Sequence, residues 1–149
     1  MDINDTVDRL LGKKAYLIDI FPKTVPQRED GRYFGVERIL KRDSADTHRR
    51  FAHILLKLYC YYDITVCAGD RILRDPAPGE LYDLTEAWLH GDESPGDRLN
   101  VILPEPGALL VLDRDDLYMV LYGPDEALKG LAGDLARSEG LSFYEAPPG

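Results

Sequence analysis

A chain of 149 residues, 44% apolar and 30% charged, can bury roughly two-thirds of its unfolded surface, so one domain over 1–149 is expected. Its formal charge of -9 argues against nucleic acid and anionic membrane surfaces as partners, because both select for clustered Lys and Arg. Acids follow Met1 where a signal peptide carries Lys or Arg, no apolar run approaches the ~18 residues of a membrane span, and two cysteines imply no disulfide framework. A cytoplasmic location is the resulting expectation.

In chain order, Ile3, Val7, Leu10 and Leu11 mark one face of a first helix, capped by Asn4 or Asp5 and stopped by Gly12. Ala15 to Phe21 is a strand rich in β-formers and ended by Pro22. Pro22 to Gly35, with the polar run Gln27-Arg28-Glu29-Asp30, reads as a long loop, and Val36 to Lys41 as a short helical piece. Ser44 or Asp46 can cap the longest helix, whose stripe is Phe51, Ile54, Leu55, Leu58 and Tyr62. Asp63 to Cys67 follows as a strand.

Residues 70–107 are the least regular part. Asp75 to Gly79 and Pro104 to Gly107 read as turns, and Gly91 to Gly96 as a solvated loop. Leu81, Leu84 and Trp88 suggest a short amphipathic helix ended by Gly91, and Leu99 to Leu103 a short strand. The last forty residues are the clearest. Leu109–Leu112 and Leu117–Tyr122 form a hairpin, Pro124-Asp125-Glu126 opens an amphipathic helix closed by Gly140, and Leu141–Tyr144 is a final strand.

With the middle segment set aside, the order is strand, helix, strand, then strand, helix, strand. That pattern predicts an α+β, ferredoxin-like split βαβ sandwich with an extra hairpin strand and an irregular insertion between strands 2 and 3. The strands at 15–21 and 117–122 are apolar on both faces and belong in the centre. Those at 63–67 and 141–144 are more mixed and belong at the edges. An apolar sheet face of that size needs a cover. The first helix, the Leu81–Trp88 helix or a second copy could supply it, and the Leu81–Trp88 helix is the expected one.

The chemical signals are sparse. His48 and His53 lie about 140° apart around a helix, so they make no zinc pair and read as solvated, and His90 stands alone. Cys60 and Cys67 fit no redox or zinc spacing and are expected to be buried as small apolar residues. Asp113, Asp115 and Asp116 lack the Gly and Glu of a calcium loop and read as a polar hairpin turn. The basic run Arg38, Lys41, Arg42, His48, Arg49 and Arg50 could form a patch for an acidic partner, but Glu37, Asp43 and Asp46 are interleaved with it, which suits a solvated helix surface better. Tyr59, Tyr61 and Tyr62 could share an aromatic pocket with Trp88, although core packing is the plainer account.

Asp19 is the most informative single residue. It interrupts an apolar strand, and a buried carboxylate needs partners or a raised pKa, conditions common at functional sites. The plainer reading has it facing a loop or pairing with an Arg.

No catalytic residue, cofactor or metal site is assigned, and no motif resembles a characterised family. The first expectation is a non-enzymatic interaction module of inhibitor or immunity type, monomeric or homodimeric. The second is a small-ligand-sensing domain, and the third an enzyme using Asp19. Asp19, Trp88 and Tyr118 are the binding residues to test first.

Overall fold

The computed structural model describes residues 2–26, 30–42, 44–90, 98–114 and 116–147, the side chains of Ser44 and His90 excepted. The expected loop at Gly91–Gly96 with its helix stop, most of the polar run at 27–30, and Asp43 and Asp115 lie outside these residues.

Twelve elements follow one another: α1 (Ile3–Leu11), β1 (Ala15–Asp19), α2 (Arg32–Arg42), α3 (Ser44–Tyr59), β2 (Thr65–Ala68), β3 (Arg71–Arg74), α4 (Pro78–His90), β4 (Leu99–Leu103), β5 (Ala108–Leu112), β6 (Tyr118–Tyr122), α5 (Glu126–Ser138) and β7 (Ser142–Glu145). The mixture is α+β. Among the described residues the strands form one open sheet in the order β3-β2-β4-β5-β6-β1-β7, antiparallel throughout.

Local chemistry explains most boundaries. Asp125 caps α5 by accepting from the Leu128 amide at 2.8 Å, and Gly140 leaves the helix at φ +75, a conformation that suits glycine. Gly123, at φ +69 after β6, makes another turn that side chains resist. The cap of α1 is Asp2, not Asn4 or Asp5: its Oδ1 accepts from the Asn4 amide at 3.2 Å. Asp116 N–H donates to Asp113 O at 3.1 Å, which places these two acids in the β5–β6 turn.

Alternation along the strands separates two faces. One face carries Ile18, Val66, Val101, Leu110, Met119 and Leu121, packed against Phe51, Ile54, Leu55 and Leu58 of α3, Leu81 and Trp88 of α4, and Leu128 and Ala132 of α5. The opposite face is covered in one part by α1, where Val7 and Leu10 meet Cys67, Ile102, Leu109 and Val111.

Four expectations are corrected here. Strand β2 is not an edge: it pairs with β3 and β4, and all four of its residues are buried. Segment 70–107 is not an irregular insertion, since it supplies β3, α4 and β4. Helix α4 does not cover the open face; it lies beside α3 on the helical side. His48 is not solvated, being 4% exposed with its ring 6.3 Å from Phe51.

The cysteines divide. Cys67 is buried beneath α1, whereas Cys60, expected in the core, is exposed at the end of α3. Burial pushes the Cys67 thiol above its ordinary pKa. Native protein should therefore react with a disulfide reagent at one thiol only, and Cys60→Ala should abolish that reaction. Rapid labelling of both thiols before unfolding would contradict this packing.

Candidate functional site

The strand half β6-β1-β7 is where the second face stays open. Antiparallel register sets Asp19 opposite Tyr118 on one side and Ser142 on the other, with Leu17 between Val120 and Tyr144. Residues two apart share a face. Ala15, Leu17 and Asp19 of β1, Tyr118, Val120 and Tyr122 of β6, and Tyr144 of β7 therefore floor one concavity of about 720 Å³. Phe21, Thr24, Val25 and Pro26 wall it after β1, and Tyr33 and Phe34 reach it from α2. The Tyr33 ring lies 6.1 Å from Phe21.

Asp19 is 6% exposed. Its Oδ2 accepts a hydrogen bond from the Tyr144 hydroxyl, and its Oδ1 accepts from the Phe21 amide at 3.2 Å. Loss of water pushes its pKa above the ordinary carboxylate value, opposed by the Tyr144 hydroxyl and the amides of Phe21 and Ile20. The plainer expectation fails in part. Asp19 is buried, and its side-chain partner is a phenol.

Tyr33, Tyr118 and Tyr144 are held in the neutral form. Burial first, then the Glu37 carboxylate that accepts from its hydroxyl at 3.1 Å, pushes Tyr33 up to about 12. Burial followed by the bond to Asp19 raises Tyr144, and burial followed by the charges of Asp116 and Asp19 raises Tyr118. A phenol displaced in that direction is a poor nucleophile and a poor base at neutral pH. Among the described lining residues there is no Lys, Arg or His, and Asp19 is the single carboxylic acid. The described residues contain no group of three metal-ligating side chains, and no helix among them is long and apolar enough to cross a membrane.

The structure unites two of the three residues singled out from the sequence. Asp19 and Tyr118 face each other; Trp88 sits on the other side of the sheet. Tyr59, Tyr61 and Tyr62 do not join Trp88 either, lining instead a second hollow of about 300 Å³ with Asp63 and Glu105. Three members of the basic run are paired with neighbouring acids: Arg49 and Arg50 with Asp46 at 2.6 and 2.9 Å, and Lys41 with Glu37 at 3.5 Å. Sequence reasoning missed Tyr144, Tyr33 and Phe21. Phe21 was recoverable from its two-residue spacing to Asp19, whereas Tyr144 and Tyr33 needed strand pairing and loop path.

Comparison with protein-family models, curated proteins and solved structures finds no match to this chain.

Proposed function

We propose that this protein is a small-ligand-binding domain, acting in the cytoplasm, whose site is the concavity over β6, β1 and β7. One observation carries the reading: an apolar hollow of about 720 Å³ on a rigid sheet converges on a single buried carboxylate and the tyrosines around it. Binding sites for small molecules have this make-up, mostly apolar walls with a few placed polar groups. The tyrosine shifts and the described lining favour binding over chemistry on Asp19. For the fold, we read β1-α3-β2 and β6-α5-β7 as the two halves of a ferredoxin-like arrangement, with β5 and β4 inserted between β6 and β2 as a hairpin. The cytoplasmic assignment is supported by the two free cysteines.

The interaction-module reading retains one observation and ranks second. Helix α2 buries none of its residues and leaves Phe34, Val36 and Ile39 exposed.

A panel of neutral aromatic fragments, followed through backbone amide NMR shifts, tests the first reading. Shifts should cluster at Leu17, Asp19, Tyr118, Val120 and Tyr144. Val120→Trp, which fills the hollow without touching the helical core, should remove them and keep the melting temperature near the parent's. A silent panel, or shifts on α2 that ignore Val120→Trp, would overturn it in favour of the protein-contact reading.

A further inference from the structure

We propose that the ligand of this site is a small organic cation, an ammonium group carried on an apolar body. The inference rests on the ligand-binding reading above and adds the chemical class of the occupant.

The first support is the carboxylate. A buried charge is stable only when paired or well hydrogen-bonded. Asp19 receives the Tyr144 hydroxyl on Oδ2 and the Phe21 amide on Oδ1, yet each carboxylate oxygen has two lone-pair sites. Even with the Ile20 amide beside them, acceptor capacity and negative charge remain on the floor of the hollow among the described residues. Among the described lining residues no cation answers them. An ammonium group answers both at once, as a charge and as a donor.

The second support is the wall. Tyr33, Tyr118, Tyr122, Tyr144, Phe21 and Phe34 all line the hollow. Aromatic faces carry negative potential and attract cations, most strongly where water is thin, and rings with a carboxylate form the usual cage for ammonium ligands. The same surroundings disfavour an anion. A metal ion is a poor alternative, because hard cations need several charged or carbonyl oxygens and this hollow offers one carboxylate among phenols that stay protonated. The apolar floor of Ala15, Leu17 and Val120 then accommodates the hydrocarbon part. At longer range, the formal charge of -9 draws cations toward the protein.

The raised pKa of Asp19 gives the proposal a pH signature. An ammonium ion binds best to the ionised carboxylate, so its affinity should rise as pH climbs through the Asp19 titration. Binding in that range should release protons.

Three probes of similar shape make the test: 2-phenylethylamine, 2-phenylethanol and phenylacetate, titrated into the full chain by calorimetry and amide NMR. The amine is expected to bind about tenfold or more tightly than the alcohol, and phenylacetate more weakly than either. Asp19→Asn keeps an acceptor for the Phe21 amide and a hydrogen bond to the Tyr144 hydroxyl, and should bring the amine down to the alcohol's affinity while leaving the alcohol unchanged. Equal affinities in the parent, or a preference for the amine that survives Asp19→Asn, would overturn the cation and leave the ligand-binding reading standing. Should none of the three bind, the cation falls, and the neutral fragment panel alone decides the binding reading.

Discussion

Trp88→Ala is expected to lower the free energy of unfolding by about 3–5 kcal/mol, the usual loss when a large aromatic leaves a packed core. Trp88 is the only tryptophan and is 5% exposed, wedged with Leu81 and Leu89 of α4 into the core that α3, α4 and α5 build against the sheet. The Arg114 guanidinium lies 5.9 Å from its ring centre. Its indole N–H has no acceptor among the described residues, so the loss is one of packing and ring contact. Trp88→Phe should therefore retain part of the stability. Urea melts followed by circular dichroism measure both variants. The amides of Leu17, Tyr118 and Val120, on the opposite face, should hold their shifts in Trp88→Phe. A loss below about 1 kcal/mol for Trp88→Ala, or pocket shifts in Trp88→Phe, would mean that α4 lies over the open face after all.

The misplacement of α4 shows where sequence patterning stops. Periodicity says that Leu81, Leu84 and Trp88 share a helix face; it does not say which sheet face they meet. The elements that were legible carry their own signals: the stripe of α3, the Asp125 cap and Gly140 exit of α5, and the turn between β5 and β6. Strand β3 carries none. Arg71-Ile72-Leu73-Arg74 does not alternate and is mostly exposed, and it is a strand because β2 offers it a ladder. That pairing also explains the misreading of β2, whose Thr65 looked like an edge residue but is buried between two neighbours.

The site was half legible for a related reason. Asp19 stands out as a charge in an apolar strand, and the alternation of Tyr118, Val120 and Tyr122 announces a face with hydroxyls on it. Tyr144 lies 125 residues from Asp19 along the chain and reaches it only because β7 pairs beside β1. The register that joins them is a property of the sheet. Tyr33 and Phe21 come together through the chain after β1, whose path has no periodic signature. The apolar middle residues Leu17 and Val120 look like core and become the floor of a hollow because no helix among the described residues covers them.

Replacing Asp19 should split by chemistry. Had its partner been an Arg, Asp19→Ala would have stranded a buried charge and removed several kcal/mol. The partner is a neutral phenol, so the expected loss is about 1–3 kcal/mol, from an unsatisfied Tyr144 hydroxyl and Phe21 amide. Asp19→Asn keeps its oxygen as acceptor for the Phe21 amide, lets its Nδ2–H donate to the Tyr144 hydroxyl oxygen, and removes the charge that burial disfavours, so at neutral pH it should equal or exceed the parent in stability. The pH dependence fixes the sign. The folded pKa of Asp19 lies above the ordinary carboxylate value of an unfolded chain, so the stability it contributes is complete below that value and is lost as pH rises through the folded pKa. The margin of Asp19→Asn over the parent should accordingly open with rising pH and close again on acidification. An ammonium ligand acts in the opposite sense, because by holding the ionised carboxylate it should narrow the margin at neutral pH. Urea melts of the parent, Asp19→Ala and Asp19→Asn at several pH values between about 4 and 8 follow the whole pattern. A parent more stable than Asp19→Asn at neutral pH, with the gap shrinking toward acid, would show that the carboxylate is held by a cation of the protein's own, and the hollow would then have no charge left to offer a ligand.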